Sequence, residues 1–270
     1  MTELRVTRHG YDDPQPAMGF FTDTSLCIGC KACEVACKEW NQIPDSIQEL
    51  TGMSYDNTVD LGASDWRHVK FIEQPTQIEG DDGFRWLMSS DVCKHCEEAA
   101  CLDVCPTGAL FRTEFDTVVV QEDICNGCGY CVSACPFGVI EKREGDGRAW
   151  KCTLCYDRLL DDKEPACAQA CPTNSIQFGE LGDLREHARV RVLELQEQGV
   201  QGAQLYGDDP NDGVGGMHAF FLLLDEPEAY SLPPDPKVTT RDLGSIWTSA
   251  FAAAGALALG IAASVVGGRK

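Results

Sequence analysis

The longest uninterrupted apolar stretch of the chain lies near its C-terminal end. Residues 243–268 contain no charged side chain. As a helix, this stretch would be about 39 Å long, enough to cross the roughly 30 Å hydrocarbon core of a bilayer. The pattern predicts one membrane-spanning helix, with Trp247 near an end, where interfacial aromatic residues are common. A stripe of small residues at every fourth position favours close packing with a second membrane helix. It comprises Ala252, Ala256, Gly260 and Ser264.

Before this stretch, residues 181–242 are predicted to form a helix, a strand and a linker. Apolar residues recur at helical spacing between Asp183 and Gln198, which indicates an amphipathic helix. Met217 to Leu224 is an apolar run that favours a strand. Three prolines between Ser231 and Pro236 are typical of a stiff linker to the membrane helix.

Sixteen cysteines fall into four groups of four, and their spacing predicts metal chemistry. The groups are Cys27-Cys30-Cys33-Cys37, Cys93-Cys96-Cys101-Cys105, Cys125-Cys128-Cys131-Cys135 and Cys152-Cys155-Cys167-Cys171. The first and third follow C-x2-C-x2-C-x3-C, the bacterial ferredoxin spacing for [4Fe–4S] clusters. The second and fourth lengthen the gap before the third cysteine and keep the closing C-x3-C. Because thiolates are soft anionic ligands for iron, we predict four [4Fe–4S] clusters and a role in electron transfer.

Other cysteine chemistries fit the spacing less well. Zinc ribbons pair two C-x2-C knuckles across a spacer and need no third cysteine or closing C-x3-C-Pro. Disulfides are typical of exported small domains, whereas the first sixteen residues lack the apolar core of a signal peptide. A different metal, or a three-iron cluster, in one of the groups is the main alternative.

The cysteine groups also predict the fold class. Proline follows the last cysteine of three groups, and each Cys-Pro pair leads through a turn to an apolar residue that can start a strand. The intervening segments, such as Val132-Ser133-Ala134, suit single helical turns. We therefore predict an α+β fold with two ferredoxin-like double-cluster modules over residues 23–180. Residues 1–22 form an N-terminal extension in this interpretation. Residues 38–90 form an aromatic-rich insertion that packs over the clusters and provides a docking surface.

Composition and the absence of known motifs further limit the partners and roles that the chain can have. The chain has 22 basic and 43 acidic residues, a formal net charge of −21, which argues against nucleic acid as a partner. No phosphate-binding loop, dinucleotide motif or nucleophile motif occurs, so we expect no catalytic residues and a non-enzymatic subunit. His95 lies between Cys93 and Cys96 and is a candidate hydrogen-bond donor to cluster sulfur.

Several segments resemble the iron–sulfur (β) subunits of membrane-bound formate dehydrogenases, within the molybdopterin oxidoreductase family. The resemblance covers most of the chain and rests on the cysteine runs and on segments between them. These segments include Tyr55-Asp56-Asn57, Asp65-Trp66, Lys151 to Cys155, Glu164 to Cys167 and Gly213 to His218. Similar β subunits occur in membrane-bound hydrogenases and sulfur-oxyanion reductases, which stay open as alternatives, and a zinc-binding scaffold is a more distant one.

The resemblance implies a pairing of cysteine groups that spacing alone leaves open. Each cluster takes three cysteines from one group and the last cysteine of another. Set A is Cys27, Cys30, Cys33 and Cys171; set B is Cys37, Cys152, Cys155 and Cys167. Set C is Cys93, Cys96, Cys101 and Cys135; set D is Cys105, Cys125, Cys128 and Cys131.

The resemblance also implies partners and a location. Electrons would pass from a molybdenum- or tungsten-pterin α subunit through the four clusters to a membrane γ subunit that reduces quinone, usually a b-type cytochrome. The chain would be a single-pass protein of the plasma membrane with its soluble part on the extracytoplasmic face, exported folded with a twin-arginine partner. The basic residues Arg269 and Lys270 favour a cytoplasmic C-terminus, while Lys237 and Arg241 on the other flank weaken that signal.

Overall fold

The computed structural model describes residues 11, 15–45, 52, 55–75 and 83–267. The described strands are β1 Met18–Asp23, β2 Arg67–Pro75, β3 Phe84–Val92, β4 Leu110–Arg112, β5 Val118–Val120, β6 Glu141–Lys142, β7 Ala149–Trp150, β8 Ile176–Glu180, β9 Gln204–Tyr206 and β10 Ala219–Leu223. The described helices are α1 Ala32–Asn41, α2 Ala100–Asp103, α3 Tyr130–Ala134, α4 Tyr156–Leu160, α5 Ala166–Gln169, α6 Leu181–Glu197 and α7 Leu243–Gly267. Short strands and helical turns alternate, so the predicted α+β class is confirmed.

A four-stranded sheet in the order β8-β1-β10-β9 joins distant parts of the chain. Strand β1 runs parallel to β10 and antiparallel to β8. All five residues of β10 are buried, since helix α6 and the cysteine-containing region cover the sheet. The segment predicted as an N-terminal extension therefore contributes Met18–Thr22 to a central strand. Residues 1–10 and 12–14 lie outside the described residues.

Strands β2 and β3 form a nine-residue-long antiparallel hairpin that begins in the predicted insertion and ends beyond it, at Val92. This hairpin is not predicted from the sequence, because polar residues break the alternation along both strands. Val69 and Val92 are buried against the cysteine-containing core, while Tyr55 and Trp86 pack together on the outside with ring centroids 4.8 Å apart. Residues 46–51, 53–54 and 76–82 of the insertion lie outside the described residues.

The residue after the last cysteine of each group decides how far the preceding helix extends. Helices α2, α3 and α5 have only four or five residues and end before a Cys-Pro pair. Lys38 replaces that proline after Cys37, and α1 continues to Asn41. The strands predicted after the three Cys-Pro turns are confirmed as β4, β6 and β8.

The two long helices follow the sequence patterns closely. The predicted amphipathic helix is confirmed as α6, which buries Leu184, Ala188 and Leu195. Helix α7 is long and apolar enough to cross a membrane: Leu243–Val265 has a mean hydropathy of 1.7, and none of its most apolar segment is buried against the rest of the chain. Residues 268–270, which include the basic pair at the C-terminus, lie outside the described residues.

Candidate metal centres

None of the sixteen cysteines forms a disulfide, and short loops bring them together in space. The loops bend through left-handed backbone conformations, as at Gly29 with φ 65° and Gly127 with φ 71°. A Cβ atom at Gly29 would lie 2.6 Å from the Phe71 ring, and one at Gly127 would lie 2.4 Å from the Gly147 carbonyl oxygen. Both glycines therefore allow close packing around the thiols as well as the turn.

The cysteines of set A line one cavity. Cys171 comes from the other end of the cysteine-containing region and joins the three cysteines of the first group. The Ser90 hydroxyl from β3 lies 3.2 Å from Cys33 Sγ at the same cavity. Burial is the main cause that raises the pKa of Cys33, to about 12.

The cysteines of set B come together at helix α1, which contains Cys37. The Asn41 side-chain amide lies 3.7 Å from Cys37 Sγ and 3.9 Å from Cys155 Sγ, so one side chain contacts thiols from two groups. Burial, and then the neighbouring thiolates of Cys152, Cys167 and Cys155, raise the pKa of Cys37 well above its ordinary value. Three of the four set B thiols share one buried cluster of side chains.

The cysteines of set C line a second cavity. Cys135, which directly follows helix α3, joins the three cysteines of the second group there. Lys94, His95 and Lys151 line the same cavity. The ring nitrogen Nδ1 of His95 accepts a hydrogen bond from the Val118 amide at 3.1 Å, so Nε2 carries the proton of the neutral ring.

The cysteines of set D, like those of set A, lie near the surface. Burial, and then the thiolates of Cys125 and Cys128, raise the pKa of Cys131 to about 11, and Cys105 contributes to the same shift. Cys128 is exposed, and the Ala149 amide lies 3.5 Å from Cys125 Sγ. The structure thus brings together the four sets that the resemblance implies. Their assignment as cluster ligands stays a prediction and is taken up below.

Three buried cations lie among these thiols, although the whole chain is strongly acidic. Arg67, Lys94 and Lys151 are at most 2% exposed. Lys94 pairs with Asp91, whereas the partners of Lys151 among the described residues are the carbonyl oxygens of Val118 and Cys152. Two guanidinium nitrogens of Arg67, Nε and Nη2, have no hydrogen-bond partner among the described residues.

Buried positive charge of this kind needs nearby negative charge, because desolvation of an unpaired cation is costly. An iron–sulfur cluster with four thiolate ligands supplies it, since the thiolates outweigh the charge of the iron–sulfide core. The cavities, the free thiols and the unpartnered guanidinium nitrogens therefore fit bound clusters.

Comparison with known proteins identifies the family. A model of the 4Fe-4S dicluster domain matches residues 26–109, and a second model with the same description matches residues 84–181. The chain is 42% identical over 243 residues to the nitrate-inducible formate dehydrogenase iron–sulfur subunit of Escherichia coli (strain K12), a match that covers 87% of this chain and 79% of that protein. The chain belongs to the family of formate dehydrogenase iron–sulfur subunits. The formate dehydrogenase iron–sulfur subunit of Haemophilus influenzae is also 42% identical over 243 residues, covering 88% of this chain and 75% of that protein.

Membership of this family confirms the predicted cofactors and role. Two dicluster domains account for four [4Fe–4S] clusters, which is the number that sixteen cysteines can hold. The chain is an electron-transfer subunit. The B subunit of the anaerobic dimethyl sulfoxide reductase of Escherichia coli (strain K12) is a shorter match, 37% identical over 168 residues, covering 62% of this chain and 76% of that protein.

Sequence reasoning missed several polar residues around the thiols. Arg67, Ser90 and Asn41 belong to no cysteine motif, and only the fold brings them to sets A and B. A partial signal was available for Lys94 and Lys151, because each is adjacent in sequence to a cysteine.

Proposed function

We propose that this chain carries electrons from a formate-oxidising subunit, which holds a molybdenum or tungsten pterin, to a membrane subunit that reduces quinone. Identity to formate dehydrogenase iron–sulfur subunits across 87–88% of the chain supports this choice, since the match to a dimethyl sulfoxide reductase subunit covers 62%. Each cluster, when bound, supplies a centre that accepts and releases one electron. The protein positions these centres, tunes their potentials and docks the partners.

We further propose that the clusters are ligated as sets A to D. The contacts within each set support this pairing over a sequential one, in which each cysteine group would hold its own cluster. Paired substitutions distinguish the two. We expect Cys37→Ala with Cys155→Ala to remove one cluster, whereas Cys37→Ala with Cys30→Ala should damage two. Iron analysis and electron paramagnetic resonance of the complex count the clusters affected. Sequential pairing gives the opposite result, because Cys30 and Cys37 then share a cluster and Cys155 belongs to another.

The contacts between sets support the spatial order A, B, C, D. Arg67 lies between thiols of sets A and B. Burial and the nearby thiolate of Cys93, in set C, raise the pKa of Cys152, in set B, to about 12. Cys101 of set C has Cys131 of set D among its charged neighbours. Electrons therefore have a linear sequence of four sites to follow.

The membrane helix starts beside the C–D end of this sequence. Thr240 Oγ1 donates to an Asp103 carboxylate oxygen at 2.6 Å, and Arg241 Nε lies 3.0 Å from a Glu98 carboxylate oxygen. Asp103 lies between Cys101 and Cys105 in sequence. We therefore assign set D to the membrane partner, a b-type cytochrome or a similar quinone-reactive protein. Set A, at the other end, takes electrons from the catalytic subunit.

Exposure at the two ends supports a docking surface at each of them. Cys30 of set A is exposed beside Ile28, an apolar side chain that is 58% exposed. Cys128 of set D is exposed near Tyr130, which is 60% exposed. Apolar side chains beside an exposed ligand suit a surface that a partner covers.

We assign helix α7 to the plasma membrane and the soluble part to the extracytoplasmic face, where folded export requires a partner with a twin-arginine signal. Protease treatment of intact spheroplasts tests this side. Cleavage of the soluble part without lysis is expected, and protection until lysis would place it in the cytoplasm.

Electron paramagnetic resonance at low temperature on anaerobic membranes tests the function. Formate should produce the signals of reduced [4Fe–4S] clusters, and membranes that lack this chain should not show them. Signals that appear with dithionite but not with formate would retain the electron-transfer role and exclude formate as the donor. Hydrogen would then be the next donor to test. A colourless protein that contains zinc in place of iron would overturn the proposal.

A further inference from the structure

Arg67 occupies an unusual position for a charged residue. It starts strand β2 and is 2% exposed. Its guanidinium carbon lies 4.7 Å from the centroid of the Phe20 ring. Nη1 donates to the backbone oxygen and the hydroxyl of Ser90 at 3.3 and 3.2 Å. Within the described part of the chain it forms no ion pair, and its Nε and Nη2 atoms have no hydrogen-bond partner.

Thiolates from two different sets act on the charge of this guanidinium. The Phe20 ring beside it packs in one buried cluster with cysteines of both sets, namely Cys33, Cys37, Cys152 and Cys167. Ser90, which accepts from Nη1, also lies 3.2 Å from Cys33 Sγ of set A. Burial by itself lowers the pKa of Arg67, but the thiolates of Cys167, Cys33, Cys152 and Cys37 outweigh it and raise the pKa above its ordinary value. Cys33 belongs to set A, and the other three cysteines belong to set B. Arg67 is therefore at the junction between two neighbouring sites.

A fixed positive charge at this junction acts on both sites at once. Adding an electron makes a thiolate-ligated cluster more negative, and a nearby cation stabilises the added charge. The effect is strong because the site is buried and poorly screened. The same charge also reduces the repulsion between two reduced clusters that are neighbours.

We propose that Arg67 raises the reduction potentials of both clusters at sets A and B, so that the first two sites of the electron path can be reduced together. This inference rests on the proposed pairing of the cysteines. It does not depend on formate as the donor, because dithionite and mediators reduce the clusters directly.

Lys151 provides a comparison within the same chain. It is also buried without an ion pair among the described residues, but it lies at the next junction. It follows directly on Trp150, donates to the carbonyl oxygen of Cys152 in set B and lines the cavity of set C. A substitution of Lys151 should therefore shift the potentials of a different pair of clusters.

The test is a redox titration of the membrane-bound complex, followed by electron paramagnetic resonance, with iron content measured on the same samples. In Arg67→Gln we expect two of the four potentials to fall, each by at least the 59 mV that corresponds to a tenfold change for a one-electron couple. Arg67→Lys should keep most of the effect because it keeps the charge. Lys151→Met should also lower two potentials. Only one of them should be among the two that Arg67→Gln lowers.

Iron content distinguishes a change in reduction potential from the loss of a cluster. With full iron content, unchanged potentials in Arg67→Gln would overturn the role of Arg67, and a shift in only one cluster would overturn its position between two. Loss of iron in Arg67→Gln but not in Arg67→Lys would support a need for positive charge at this junction. Loss of iron in both would show a packing role and overturn the proposal. The cysteine double variants decide the pairing independently.

Discussion

Asp91 on strand β3 is the acidic partner of two lysines, and its removal offers a quantitative test of the packing around set C. The carboxylate is 4% exposed, pairs with the buried Lys94 and lies 3.1 Å from Lys70 Nζ. Lys94 in turn lines the set C cavity and faces the Phe137 ring, with Nζ 5.3 Å from its centroid. Asp91→Asn leaves the shape of the side chain almost unchanged and leaves Lys94 buried without its counter-ion.

Two physical arguments bracket the expected loss of stability, from about 2 to about 5 kcal/mol. Burial by itself raises the pKa of Asp91, but Lys94 and Lys70 outweigh it and hold the pKa at about 2, below the ordinary 3.8. At about 1.4 kcal/mol per pH unit, this difference corresponds to roughly 2 kcal/mol. The contribution is present above pH 3.8 and is lost as the pH falls through about 2. Removing one partner of a buried pair costs about 3–5 kcal/mol, because the other charge is left uncompensated.

The assay is anaerobic thermal unfolding at pH 7, followed by loss of the visible thiolate-to-iron absorbance. A loss of about 2–5 kcal/mol lowers the midpoint by roughly 4–20 °C in a protein of this size. Asp225→Asn is the matched control, since Asp225 pairs with the half-exposed Arg85, and such pairs contribute about 0–1 kcal/mol. If the unfolding midpoint falls no further in Asp91→Asn than in Asp225→Asn, the reasoning is refuted. Adding Lys94→Met to Asp91→Asn should restore part of the loss.

Three further predictions follow from the sheet, the anchor and the thiols. Gly19→Ala should destabilise the sheet by about 1–3 kcal/mol, since the new Cβ would lie 2.2 Å from the His218 carbonyl oxygen, while Gly182→Ala, with open space around it, should be neutral in the same thermal assay. Leu257→Arg should cost about 3–4 kcal/mol of membrane insertion and Ser245→Arg, near the helix end, much less, as measured by carbonate extraction. In the iron-free chain, burial raises the pKa of Cys33 to about 12 from the ordinary 9.0. The protonated thiol therefore stabilises the fold below pH 9, and this contribution is lost as the pH rises towards 12. The denaturation midpoint of the iron-free chain should fall over that range by more than that of the iron-loaded chain, in which only other groups such as Tyr156 titrate.

Local spacing along the sequence was enough to predict the metal chemistry and many of the elements. The ligands of a cluster come mostly from one short loop, so a C-x2-C-x2-C run is visible without any fold. The helix over Leu181–Glu197 and the span over Leu243–Gly267 depend on periodicity and apolarity, which are also local properties. Proline after a cysteine marked where three short helices stop.

Only the tertiary structure brought together groups that are distant in sequence. Met18–Asp23 forms a strand because β8 and β10 supply its hydrogen-bonding partners, and neither neighbour is close in the sequence. Long-range packing likewise brings Cys171 to the first cysteine group and Asn41 to Cys155.

The position of Arg67 is the clearest case. From sequence it is a basic residue next to Trp66, with no motif around it. In the fold it is a buried cation between thiols of two sets. The number and type of the metal ligands are thus local properties that the sequence determines, whereas the charges that surround them depend on long-range packing.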